Sequence, residues 1–162
     1  MTHTKQILIN FRSLKNKPAP SSGTKNTQVT SPLTILITGA SSGLGAALAC
    51  HYAQAGVTLH LQGRNQARLQ EVATICEGKH ATVYTQIADV IDAAAMEQWM
   101  LAADAKTPVD LIIANAGVSA GTGIHGEGSD QVRHIFSTNI GGTINTIQPL
   151  LDVMVQRKSG QI

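Results

Sequence analysis

Thr38-Gly39-Ala40-Ser41-Ser42-Gly43-Leu44-Gly45 lies between two segments of opposite character. Before it, Leu33-Thr34-Ile35-Leu36-Ile37 is short, apolar and β-branched, bounded by Pro32 and Gly39, and reads as a strand. After it, the run from Leu44 to Ala53 is alanine-rich and helix-favouring, and Gly56 stops it. A glycine turn between a strand and a helix is the context that a dinucleotide-binding loop requires. Gly39 lets the chain turn sharply. Gly43 removes a Cβ where backbone must approach a pyrophosphate, and Gly45 lets the helix pack close on the strand. The helix N-terminus then presents free N–H groups and a partial positive charge to the phosphates.

The same alternation runs on through the chain. The pattern predicts strands over 33–38, 57–62, 81–87 and 109–114, with helices over 43–55, 66–77 and 92–105, then a loop and a long helix from about Ser129 to Gln156. Alternating strands and helices imply parallel strands joined by right-handed crossovers, an α/β fold of the Rossmann-type, doubly wound kind. Gly121, Gly123, Gly126 and Gly128 predict a flexible loop after Gly117. In the last helix Ser137, Thr138, Asn139, Gly141, Gly142 and Thr143 are poor helix formers, each internal glycine costing about 1 kcal/mol against Ala. Ile135, Phe136, Ile140, Ile144, Ile147 and Leu151 recur at three- and four-residue steps, so one apolar face is expected to prevail, with a local bend at Asn139 to Gly142. Trp99 is expected to anchor the buried face of its helix.

Composition narrows the class. A chain of 162 residues, 43% hydrophobic and 14% charged, is globular and large enough for one core. Aromatics at 3% leave that core to Ala, Ile, Val and Leu. A net charge of +2 argues for neither nucleic acid nor an acidic membrane surface as partner. No apolar run approaches the roughly 18 residues of a membrane-spanning helix. Cys50 and Cys76 have no paired spacing and read as reduced, packed thiols of a cytoplasmic protein. The six histidines show no metal-ligand spacing, and His51 and His60 read as packed or surface residues. Residues 1–31 are basic, acid-free and broken by Pro18, Pro20 and Gly23, and read as a disordered leader, or as upstream sequence joined by a misassigned start, in preference to a transit peptide; a partial dinucleotide-binding domain follows over 32–162.

Four motifs in order carry a resemblance. The Thr-Gly-x-x-x-Gly-x-Gly spacing of Thr38 to Gly45 resembles the short-chain dehydrogenase/reductase family. Asn115-Ala116-Gly117 follows the apolar strand ending at Ala114 and resembles the family's Asn-Ala-Gly motif. Asp89-Val90 is similar to the family's adenine-contacting segment, and Asn139 matches the Asn of its catalytic tetrad. The resemblance implies NAD(P)(H)-dependent hydride transfer on an alcohol or carbonyl substrate. Its cofactor contacts would be Thr38, Gly39, Ser41, Ser42, Gly43, Leu44, Gly45, Arg64, Asp89, Val90, Asn115, Ala116 and Gly117. After the second strand, Gly63 stands where an NAD-binding acid would be, and Arg64 follows at once. A guanidinium can fork onto a 2′-phosphate, so NADP(H) is favoured over NAD(H), although Arg64 could instead stack on the adenine or cap the next helix.

The tetrad's other members are not found. The two tyrosines, Tyr52 and Tyr84, are followed four residues on by Gly56 and Ala88, so neither forms Tyr-x-x-x-Lys. Ser159-Gly160-Gln161-Ile162 resembles the start of the strand that precedes the family's Ser. The expectation is a sheet incomplete in its C-terminal half, with the fourth strand an open apolar edge, marginal stability and a weakened homo-oligomer. The expected function is a short-chain reductase represented by a truncated chain; the alternatives are a non-catalytic dinucleotide-binding module or a nonfunctional remnant.

Overall fold

The computed structural model describes residues 33–119 and 128–162. The readings made for residues 1–31 and for Gly121, Gly123 and Gly126 lie outside the described residues. Four strands alternate with helices: β1 (Thr34–Ile37), α1 (Gly43–Tyr52), β2 (Thr58–Gly63), α2 (Gln66–Glu77), β3 (Thr82–Ile87), α3 (Ala93–Lys106), β4 (Leu111–Ile113), α4 (Ser129–Phe136) and α5 (Gly142–Arg157). All strand pairings are parallel, in the order β3-β2-β1-β4. The chain therefore goes one way from β1 to β3 and returns past β1 to β4. That reversal opens a crevice at the carboxyl ends of β1 and β4.

Burial on both faces explains the sequence character of β1, every residue of which is buried. Ile35, Ile37, Leu59 and Leu61 pack with Ala49 of α1 and with Leu69, Val72 and Cys76 of α2. Leu36 and Ile112 pack on the other face with Met96, Trp99, Met100 and Ala103 of α3 and Leu150 and Met154 of α5. Trp99 is thus the anchor its position suggested. Asn65 caps α2 by accepting from Arg68 N at 3.0 Å, and Asp92 caps α3 by accepting from Ala95 N at 3.1 Å. No helix among the described residues is long and apolar enough to cross a membrane. The Cys76 thiol is pushed up to about 11, chiefly by burial and then by the adjoining Cys50 thiol, which suits a packed and unreactive thiol.

Two expectations are corrected. The edge of β4 is not left open along its whole length: Gln161 N donates to Asp110 O at 2.8 Å and Ile112 N donates to Gln161 O at 2.9 Å, a single parallel bridge beside Leu111. The other correction concerns the last helix. Phe136, Ile140 and Ile144 are exposed, and the face that packs is Thr138, Gly142, Thr146, Leu150 and Met154. Small residues win because they allow close approach: a Cβ on Gly142 would lie 2.5 Å from Val90 Cγ2. The irregularity expected near Asn139 is a π-helical segment, Ser137–Gly141, with Gly142 N donating to Ser137 O.

His60 has a measurable consequence. Its ring is buried, stacks on Tyr84 at 5.1 Å, and its Nε2 has no hydrogen-bond partner. Burial first, then the Lys106 ammonium, push its pKa down to about 4 from 6.5. The unfolded chain therefore takes up a proton that the folded chain refuses. Stability is full above about pH 6.5 and falls as pH drops toward 4, by up to about 3 kcal/mol. Urea titrations at stepped pH should show this slope in the wild type and lose this part of it in His60→Leu.

Candidate functional site

A cleft of about 630 Å³ opens at the carboxyl ends of β1, β2 and β4. Its walls come from four chain segments: the turn from Gly39 to Leu44, the end of β2 with the start of α2, the Asp89-Val90 turn, and Asn115 to Val118. Thr138 of the π-helical segment completes them.

The turn is shaped by its glycines. Gly39 has φ +67° and Gly43 φ +56°, both in the left-handed region. A Cβ on Gly43 would meet nothing within 4 Å, so the backbone there faces open cleft. Ser42 precedes α1 in an extended conformation and makes no side-chain cap bond, which leaves the first amides of that ten-residue helix without a capping side chain. Free amides at the positive end of a helix, facing a cleft, suit a phosphate.

Thr38 and Asn115 brace this turn from beneath. Thr38 N donates to Ile113 O at 3.1 Å, and the Thr38 hydroxyl accepts from Asn115 N at 3.1 Å and from Ala116 N at 3.2 Å. The Asn115 amide donates back to Thr38 O at 3.0 Å and Gly39 O at 3.3 Å. Of the residues singled out in the sequence, Gly39, Ser41, Ser42, Gly43, Leu44, Arg64, Asp89, Val90, Asn115, Ala116 and Gly117 line the cleft. Thr38 and Gly45 lie behind its wall.

At the far end, Arg64 Nη1 pairs with Asp89 Oδ2 at 3.3 Å, in a half-exposed position. Asn65 is the cap of α2, and Arg64 is left to the cleft. Gly63 is tightly placed: a Cβ there would lie 3.0 Å from Ser41 Cβ, so a larger side chain would crowd the turn.

Asn139 does not point freely into the cleft. Its Oδ1 accepts from Val118 N and its Nδ2 donates to Val118 O, both at 2.9 Å, a two-point clamp on the peptide that follows the Asn-Ala-Gly turn. Its own carbonyl accepts from the Thr143 hydroxyl at 2.7 Å. Neither tyrosine lines the cleft; Tyr52 ends α1 and Tyr84 lies in β3.

Gln62, Arg68, Val118 and Thr138 also form the walls and were not singled out by the sequence reading. Arg68 carried a legible signal, a second cation four residues after Arg64. Thr138 carried none, although its hydroxyl is buried in the cleft wall without a hydrogen-bond partner. Such an orphan oxygen fits a site built to receive a polar ligand. No three His, Cys, Asp or Glu side chains gather as a metal site among the described residues.

The fold and crevice define a protein of the α/β, Rossmann-like class. Residues 33–162 match the short chain dehydrogenase family, and the chain belongs to it. An uncharacterized oxidoreductase from Myxococcus xanthus is 38% identical over 130 residues, covering 80% of this chain and 51% of that protein. A short-chain dehydrogenase from Sphingobium yanoikuyae, solved in complex with NADPH, superposes with a TM-score of 0.70 at 27% identity, over 79% of this chain and 51% of the other. One from Mycobacterium paratuberculosis bound to NAD matches in fold, with a TM-score of 0.73 at 22% identity, over 80% of this chain and 53% of the other. The chain spans about half the length of the curated relatives it matches.

Proposed function

We propose that this chain holds the dinucleotide cofactor of an alcohol/carbonyl oxidoreductase, NADP(H) in preference to NAD(H). The observation that carries the reading is the open N-terminus of α1 above a glycine turn, facing a cleft with a buried, unpartnered Thr138 hydroxyl. Residues Ser41 to Leu44 hold the pyrophosphate through their amides. Asp89 and Val90 flank the adenine. Ala116 and Gly117 line the path toward the nicotinamide end, and Asn139 keeps that path in shape through Val118. Bound there, the dinucleotide supplies the hydride chemistry, and the protein supplies orientation. The substrate is a small molecule carrying an alcohol or carbonyl group. A cytoplasmic setting is supported by the two free thiols.

The NADP(H) preference is supported by Arg64 and Arg68 in the cleft wall, with Gly63 where an acid would otherwise meet the ribose. Titrating the chain with NADPH and NADH, read by nicotinamide fluorescence, tests both parts of the proposal. NADPH should bind about tenfold or more tighter, the worth of one charge-assisted phosphate contact. Arg64→Ala should remove that difference and leave NADH affinity within about threefold of the wild type. Failure of both dinucleotides to bind overturns the cofactor reading. Equal binding of the two overturns only the preference.

A further inference from the structure

Gln62 is the last residue but one of β2 and is buried at 1% exposure. Its side chain makes two bonds to backbone, one in the glycine turn and one just before the Asp89-Val90 turn. Oε1 accepts from Gly39 N at 3.1 Å, and Nε2 donates to Ala88 O at 2.6 Å. Its own main-chain oxygen accepts from Ala40 N at 2.9 Å. One residue thus holds two successive amides of the glycine turn and the carbonyl that precedes Asp89. Asp89 in turn pairs with Arg64 at 3.3 Å and accepts from Ile91 N at 3.2 Å.

We propose that Gln62 is a positioning residue for the cofactor, tying the pyrophosphate-binding turn to the adenosine-binding turn so that the two are set together. The proposal rests on the dinucleotide reading above. Its chemistry is restrictive. A donor and an acceptor must sit on one short planar group, with the acceptor toward Gly39 and the donor toward Ala88; only an amide or an un-ionised carboxyl of this length meets that demand. The clamp also selects which amides face a ligand. Those of Gly39 and Ala40 are already bonded, so a phosphate must take its donors from Ser41 onward, where α1 begins. Nothing in the span of 23 residues to Gly39 or 26 to Ala88 advertises this link in sequence.

Two variants test it. Gln62→Met keeps length and apolar bulk and removes both side-chain bonds. It should weaken NADPH and NADH alike, by about tenfold or more for two buried hydrogen bonds, whereas Arg64→Ala acts on NADPH alone. Gln62→Glu supplies a readout that loss of packing would not move. Ionised, its carboxylate still accepts from Gly39 N and faces the Ala88 carbonyl with no proton to donate. Protonated, its hydroxyl restores the donor. Burial raises such a carboxyl above its usual value of about 4.3.

NADH affinity of the Glu variant should therefore be low at about pH 8 and recover at least about fivefold by about pH 6, while the Met variant and the wild type stay flat. NADH is used because its adenosine carries no 2′-phosphate to titrate. The ionisable groups around the position are His60, which shares its face of β2 and remains neutral there, with Arg64, Arg68 and Asp89 along the cleft wall. A pH-flat Glu variant, or a Met variant that folds and binds both dinucleotides as the wild type does, overturns the role of Gln62 and leaves the dinucleotide reading intact. A wild type that binds neither dinucleotide overturns both. Should the Met variant fail to fold, the pH response of the Glu variant decides alone.

Discussion

Replacing Gly45 with alanine is expected to weaken dinucleotide binding about a hundredfold and to cost about 2–3 kcal/mol of stability. Gly45 lies behind the cleft wall, in the first turn of α1, where that helix passes over the glycine turn. An added Cβ would collide with the Gly39 carbonyl, standing 2.9 Å from its carbon and 2.6 Å from Asn115 Nδ2. The first atom belongs to backbone and the second to a side chain held by two hydrogen bonds, so neither can swing aside. Relief requires α1 to lift from the sheet. The amides at its N-terminus move with it, and a displacement on the order of 1 Å is enough to spoil a site built from fixed donors. Calorimetric titration with NADPH, beside a thermal melt, reads both effects. Unchanged affinity with lowered stability would show that the start of α1 does not carry the phosphate.

Asp104→Ala should be the most destabilising polar substitution in the fold, at about 3 kcal/mol. Asp104 Oδ1 accepts from Val109 N at 2.8 Å and from Arg157 Nη1 at 2.7 Å. Arg157 also donates to Val109 O, and through Nε to Ser159 O at 3.0 Å. The pair is largely sheltered, with side-chain exposures of 15% for Asp104 and 23% for Arg157. One carboxylate thus joins α3, the entry to β4 and the end of α5, next to the bridge that Gln161 makes to β4. Removing it leaves a sheltered guanidinium without its counter-charge and the Val109 N–H without its acceptor, which is more harmful than deleting an exposed pair. Chemical denaturation should show the loss. A double variant with Arg157→Met should recover part of it, because the unpaired charge goes too.

Much of the glycine turn is legible in the sequence alone. Its strand, glycines and helix are contiguous, so their conformations are dictated by local sterics that each residue carries with it. Parallel topology followed for the same reason, since short strands alternating with helices leave few other connections. Residues that meet across the sheet were harder to read. Thr38 and Asn115 matched motif positions, yet their side chains brace β1 to β4 instead of lining the cleft with free groups. Arg64 could have capped α2, but Asn65 does so and Arg64 turns to Asp89.

The helix after β4 shows where local reasoning stops. By itself the sequence determined that an amphipathic helix would run there, because apolar residues recur at helical steps, and that it would be irregular near Asn139, because glycines and threonines cluster there. Which face would pack was decided only by the tertiary structure. Phe136, Ile140 and Ile144 carry more apolar surface, but the space beside Val90 admits nothing larger than Gly142. Thr138 and Thr146 are buried on the same side. The Gln62 clamp is of the same kind. Any Gln at the end of a strand has the same local propensity, and only the docking of β1, β2 and the chain after β3 brings Gly39 N and Ala88 O to its two ends. Local chain stiffness is written residue by residue; close approach between distant segments exists only once the layers have stacked.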